Sequence, residues 1–371
     1  MKAMEAVLWI ASICVGPRKS QVKTLGDLVS VTVRVRRVSL SELGRLLAKE
    51  HNATTKHCIK RVWRFTTNGR VHISDAMQGP LRWLFHSRKR WKNHPLLVTF
   101  DWTEIRSFHT LMAAAVMDGR GVPLPWASYE EWALHKSQNN LEEGLLRLLK
   151  SMLPDWMTVI GVADRGFGRT ELARTCQQLG FHYVIRIKPD VHVKCSEFQG
   201  RLDGLPAKRG TRRLLKDVQF RKQNPVTQHV AVCWERGLPK DRDECWFLMT
   251  DLPYSVNQLT SLYGRRMTIE ELFRDEKNRR HGWALRNTQI TRPDRFDRLL
   301  LILALAYWLL VGIGLTARKH DRAGMWCSSN KPNTCGVFFI GRKMVGRLEL
   351  TAAQALAALL EAILTEAEKW G

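Results

Sequence analysis

Acidic side chains are scarce in this 371-residue chain: 35 Asp and Glu stand against 59 Lys and Arg, for a formal charge of +24. A pI near 10.1 excludes an ordinary cytosolic metabolic enzyme and points to a polyanionic partner, with nucleic acid first. The basic residues run along the whole chain and form no separate tail, so several segments are expected to touch that partner. Metal-finger spacing is also missing. The eight cysteines (Cys14, Cys58, Cys176, Cys195, Cys233, Cys245, Cys327 and Cys335) include no C-x2-C pair, which leaves reduced thiols of a cytosolic protein. There is no internal repeat and no low-complexity tract. The apolar run after Lys2 is broken by Glu5 and followed by no A-x-A site, so it reads as a packing helix and not as a signal peptide. Only Leu299 to Ala317 approaches the roughly 20 apolar residues that cross a bilayer. It stands alone in a basic, otherwise polar chain and follows a charged helix directly, so we read it as a buried core helix and expect no membrane partner.

What is present divides the chain. Residues 1–92 read as a small helical DNA-binding domain. Ser39 and Glu42 form an S-x-x-E capping box at the start of one helix, and Thr54 or Thr55 caps the next, giving a helix-turn-helix pattern. On the second helix Ile59, Val62 and Phe65 face inward, while Lys56, Lys60, Arg61 and Arg64 are the candidates for DNA contact. A plain three-helix bundle is the rival reading. After a basic hinge from His86 to Pro95 the hydrophobic period changes. The apolar strand Leu96–Phe100 ends at Asp101, and a hairpin turns at Asp118 to Gly121. A helix from about Asn139 to Met152 follows, then a strand from Met157 ending at Asp164, the helix TELARTCQQLG and the strand FHYVIRIK. This is the order of a ribonuclease H-like α/β core, whose first part we place at 93–188. Residues 189–255 read as a β-rich insertion, 256–320 as the rest of the core with its charged helix, and 321–371 as C-terminal helices.

The charged helix, Tyr263 to Lys277 (YGRRMTIEELFRDEK), organises the reading. At about 100° per residue, Tyr263, Arg266, Glu270 and Lys277 fall within an arc of roughly 60°, beside a packing sector of Leu262, Ile269, Leu272 and Phe273. A solvated face with chance ion pairs is the plain alternative. Asp101 and Asp164 each follow a continuous apolar strand, where a rigid backbone holds a carboxylate at the sheet edge. Either one alone could be a turn cap. Three such carboxylates suit two hard divalent cations about 3.5–4 Å apart, which activate the attacking oxygen and stabilise the leaving oxygen of a phosphodiester. Asp251 and Asp118 rank below them.

The pattern Y-x2-R-x3-E-x6-K, with Asp101 in VTFDWTEI and Asp164 in GVADRGFG, resembles the insertion-sequence "IS-four" family of bacterial DDE transposases over roughly residues 95–283. The resemblance implies Asp101, Asp164 and Glu270 as catalytic metal ligands for two Mg²⁺ (or Mn²⁺) ions. It implies Tyr263, Arg266 and Lys277 as holders of DNA phosphates. It also implies a cytoplasmic, nucleoid-associated bacterial homodimer that binds double-stranded inverted-repeat ends, hydrolyses them and joins the 3′-OH to target DNA. Some members form a hairpin on a flipped base, for which Trp234 and Trp246 are the stacking candidates. The rivals are a metal-dependent nuclease on the same fold and a transposase-derived DNA-binding protein without activity.

Overall fold

The computed structural model describes residues 9, 10, 12, 17–117, 119–135, 137–220, 226–235, 244–320 and 335–371. Most of the N-terminal apolar run, Asp118, and residues 321–334 of the C-terminal region lie outside them.

From Lys19 onward four helices precede the sheet: α1 (Lys19–Thr32), α2 (Leu40–His51), α3 (Thr55–Thr67) and α4 (Ile73–Leu84). Ser39 Oγ accepts from the Glu42 amide at 3.1 Å, satisfying one orphan donor of the first turn. The return half of the expected capping box is absent, because the Glu42 carboxylate pairs with Arg45 at 3.1 Å. Thr54 stands at the start of α3 without a side-chain cap bond, contrary to the expectation. α2 and α3 touch at Gly44, where a Cβ would lie 2.5 Å from Ile59 Cγ1 and 2.6 Å from Ile59 Cα, so only glycine permits this crossing. Val62 and Phe65 are buried as their spacing predicts.

Among the described residues, the centre of the molecule is one ten-stranded sheet in the order β3-β2-β1-β4-β5-β10-β9-β8-β6-β7. β1 (Leu96–Ile105), β2 (Phe108–Met117) and β3 (Arg120–Glu130) form an antiparallel meander. β4 (Val159–Ala163) runs parallel to β1, and β5 (Phe181–Arg186) parallel to β4. These inner strands are apolar on both faces, as parallel strands covered on both sides must be. α5 (Gln138–Met152) and α6 (Thr170–Gln178) belong to the face lined by Phe100, Ala163, Tyr183 and Ile185. The opposite face, lined by Leu97, Ile160, Val162 and Val184, is covered by α7 (Val256–Gly264) through Leu259, Leu262 and Tyr263.

Residues 189–255 extend this sheet instead of forming a layer of their own. β10 (Trp246–Thr250) pairs with β5 through Leu248 and Arg186, and β9 (Val226–Cys233), β8 (Arg212–Phe220), β6 (His192–Lys194) and β7 (Gln199–Arg201) follow outward. An apolar strand pairing with β5 satisfies main-chain groups that would otherwise form an open edge.

The long apolar helix α9 (Pro293–Lys319) has a mean hydropathy of 2.4 over its most apolar stretch, 89% of which is buried inside the protein. It is a core helix, as expected. It packs against α10 (Val337–Met344) and α11 (Ala352–Ala367) at backbone distance: a Cβ on Gly312, Gly314 or Gly341 would lie within 2 Å of a carbonyl oxygen of the facing helix. Buried Arg298 donates to the carbonyls of Thr66 (3.1 Å) and Val71 (3.2 Å), fastening the first four helices to α9 in one contiguous core.

Candidate active site

Sheet register brings the two aspartates together. Phe100 pairs with Ala163 in the parallel ladder, so the next step sets Asp101 beside Asp164, on strands about 4.8 Å apart. Alternation puts both side chains on the face of Leu97, Ile160 and Val162, under α7. The expected strand end at Asp101 needs correction. β1 continues to Ile105, still paired with β2, and it is the pairing with β4 that stops there. Asp164 caps a short turn, accepting from the Gly166 amide at 2.8 Å.

The third carboxylate arrives from α8 (Met267–Lys277), and here the single continuous helix of the sequence reading is broken. α7 ends at Gly264, and the junction is held by short-range bonds from Arg266 N to Tyr263 O (3.0 Å) and from Thr268 N to Arg265 O (3.0 Å). The 100° rule therefore fails between Tyr263 and Glu270. Tyr263 is 5% exposed and packs edge-on to Trp246 at 5.3 Å between centroids, so it does not lie open on a phosphate-binding face. Burial raises its phenol above the ordinary range despite Arg266 and Arg186 beside it.

Arg266 meets Glu270 at 2.7 Å and Asp101 at 3.7 Å with the same nitrogen. It offsets charge that is otherwise concentrated. Burial raises the Asp101 carboxyl to about 6, Asp164 and Glu270 push in the same direction, and Arg266 and the Trp102 amide oppose them. Lys277 reaches β1 two residues further on, donating to Thr103 Oγ1, which lies on the same face as Asp101. Burial and Arg286 lower its pKa.

The other candidates separate. Asp251 accepts from the Tyr183 amide at 3.1 Å and pairs with His182 at 2.9 Å, a structural role at the end of β10. Lys56, Lys60 and Arg64 are exposed on α3. Arg61 is half-buried; it turns to α1 and binds Asp27 at 2.5 Å and Thr24 at 3.2 Å, apart from its exposed neighbours. Trp246 packs on Tyr263 beneath Arg186, and Trp234 closes a turn through backbone bonds with Gly210 and Thr211.

Residues 85–309 match the family model of the transposase DDE domain, a span that holds Asp101, Asp164 and Glu270. The chain belongs to the DDE transposase family. No match was found among the curated proteins. Family membership makes DNA its class of partner and transposition its class of activity. Members of the DDE transposase family typically use divalent metals. Among the described residues no three His, Cys, Asp or Glu side chains are gathered to ligand distance, and Glu270 engages Arg266. The donor chemistry nonetheless fits a hard cation: carboxylate oxygens only, with Asp101 raised first by burial and then by the charges of Asp164 and Glu270.

One residue of this DDE transposase escaped the sequence reading. Glu142 on α5, 2% exposed, accepts from Trp102 Nε1 at 2.8 Å and from Gln138 at 3.1 Å, and it pairs with Arg169. Trp102 follows Asp101 on β1 and points to the other face; Arg169 ends the loop that begins at Asp164. Glu142 therefore clamps both aspartate-bearing segments from beneath the sheet. A heptad-like position on an amphipathic helix gave no sign of it beyond a charge on an otherwise packed side.

Proposed function

We propose that this transposase binds inverted-repeat DNA ends, cleaves them by metal-dependent phosphodiester hydrolysis and joins the freed 3′-OH ends to target DNA. The observation that carries the reading is the register that sets Asp101 beside Asp164, with Glu270 linked to Asp101 through Arg266. The inner strand order, an antiparallel meander followed by two parallel strands, is the one a ribonuclease H-like core requires, and we take the core to be of that kind. Asp101 and Asp164 would hold two Mg²⁺ or Mn²⁺ ions, with Glu270 as third ligand. The metal would supply Lewis-acid activation of water and of the leaving oxygen.

The protein's own groups do the rest. Arg266, placed among the carboxylates, would exchange Glu270 for the incoming phosphate, a bidentate partner that guanidinium favours. Lys277 would bind a neighbouring phosphate as a point charge. Tyr263 would anchor α7 on the sheet by packing against Trp246. Lys56, Lys60 and Arg64 on α3 would contact the DNA end, and the IS-four subgroup, homodimer and cytoplasmic setting belong to the same proposal.

The test incubates the full chain with the DNA flanking its gene and Mg²⁺, following cleavage and strand transfer. Asp101→Asn, Asp164→Asn and Glu270→Gln should each abolish both while leaving DNA affinity in place. Near wild-type cleavage by any one of them removes that residue from the metal set. Cleavage without joining would establish the nuclease reading, and a wild-type chain that binds without cutting would establish the inactive one.

A further inference from the structure

Three segments remote in sequence meet beyond the C-terminal end of α8 and line a cleft of about 720 Å³. They are the stretch after α1, the turn after α8 and the end of α10. Arg36, Arg37, Arg279, Arg280 and Lys343 are exposed along it, and among the described residues no acidic side chain lines it. None of Arg36, Arg37, Arg279 and Arg280 has a carboxylate partner among the described residues, although the chain forms many ion pairs elsewhere. Four like charges left together and uncompensated raise the energy of the free protein and lower that of a complex with a polyanion.

The cleft is built, not incidental. The guanidinium of Arg342 donates to the carbonyls of Val35 (3.2 Å), Arg36 (3.0 Å), His281 (2.6 Å) and Gly282 (2.6 Å), so one side chain ties the other two segments together. The Val38 amide donates to Trp283 O at 2.8 Å, a second tie between them. Asn278 Oδ1 accepts from the amides of Arg280 (2.8 Å) and His281 (2.9 Å), holding the turn that presents the arginine pair. At Gly282 a Cβ would lie 2.0 Å from Asp275 O, so the turn sits on the helix at glycine contact distance. The cations are thus held in place before any ligand arrives, which limits the ordering entropy of binding.

We infer that this cleft binds the sugar-phosphate backbone of the same duplex that is cut at the carboxylates. The inference rests on the proposed action at DNA ends and adds to it the path of the duplex. From Glu270 to Lys277 α8 rises about 1.5 Å per residue, so the cleft begins roughly 10–15 Å from Glu270. That distance is roughly three to four base-pair steps at about 3.4 Å each. A duplex lying along α8 therefore carries its scissile phosphate to Asp101 and Glu270 and its next phosphates to Arg279, Arg280, Arg36 and Arg37.

The experiment compares the full wild-type chain with Arg36→Ala/Arg37→Ala and Arg279→Ala/Arg280→Ala, each checked for an unchanged melting temperature. The probe is the labelled duplex flanking the gene, with affinity measured against salt in the absence of metal. The plot of log K against log salt should flatten by about 0.9 for each phosphate that is no longer neutralised. Phosphate-ethylation interference should show wild-type contacts three to four steps from the bond that the same chain cuts with Mg²⁺, and these should disappear in the variants. Arg→Lys versions of both pairs should restore the slope. Unchanged slope and interference in the variants overturn this inference alone. Interference confined to phosphates far from the cut bond overturns the single-duplex path. A wild-type chain that binds no DNA overturns this inference and the proposed function together.

Discussion

Replacing Arg169 by Met isolates the clamp beneath the active-site sheet. The substitution leaves the Glu142 carboxylate buried, 1% exposed in its side chain, with only Trp102 and Gln138 as donors. Removing one partner of a buried ion pair typically destabilises by about 3–5 kcal/mol, because the other charge stays desolvated without compensation. At about 2.1 cal/mol/K per residue, 371 residues correspond to an unfolding entropy of roughly 0.8 kcal/mol/K, so the melting temperature should fall by about 4–6 °C. The double variant Arg169→Met/Glu142→Leu removes both charges and should recover most of that loss. The exposed pair Arg45–Glu42, at 3.1 Å, is the control, and Arg45→Ala should shift the melt by no more than about 1 °C. Differential scanning calorimetry measures these terms, and cleavage with Mg²⁺ at a temperature well below all the transitions reads the functional side. Both variants should cut slowly, Arg169→Met because the segment after Asp164 loses its tie to Glu142, and the double variant because Trp102 loses that tie as well. A loss below about 1 kcal/mol for Arg169→Met would show that the pair is well solvated, and full cleavage by the double variant would show that the clamp does not position the aspartates.

Other outcomes follow from the same geometry. Arg266→Ala should weaken metal-free DNA binding, reduce the salt slope by the equivalent of about one neutralised phosphate and slow cleavage; an unchanged slope measured by fluorescence anisotropy would confine Arg266 to pairing with Glu270. Glu276 is fully buried and its carboxyl is raised to about 8 from 4.5. The folded state therefore keeps a proton that the unfolded state releases, so stability should fall by at most about 1.4 kcal/mol per pH unit between about 4.5 and 8 and level off above. Glu276→Gln should remove that slope in urea titrations across this range, and an unaltered slope would place its origin elsewhere. On α3, Lys60→Ala and Arg64→Ala should lower DNA affinity with little change in stability, whereas Arg61→Ala should lower stability through Asp27 and leave affinity nearly intact. The reverse result for Arg61 would mean that it leaves Asp27 to meet DNA.

Features that depend on neighbours along the chain could be read from the residues alone. Apolar runs ending at Asp101 and Asp164 mark inner strands because such runs are buried on both faces whatever surrounds them. Leu299 to Ala317 is a core helix, since no polar face breaks its run. Ser39 caps α2 through a bond three residues away. The break between α7 and α8 was hidden because periodicity assumes a regular helix, and the short-range bonds at Arg265 and Arg266 follow from α7 packing on the sheet while α8 turns toward β1 and β3. Arg61 looked like its exposed neighbours on α3 until Asp27 of α1 was seen to lie opposite. That β10 of the β-rich insertion pairs with the core could not be read, because a strand's partner is chosen by open edges elsewhere, here that of β5. Glu142 and the arginine cleft depend most fully on tertiary structure. The clamp joins α5 to two segments on either side of it, and the cleft joins residues from the beginning, middle and end of the chain. Charges so far apart in sequence become one surface only when a shared core holds their segments together.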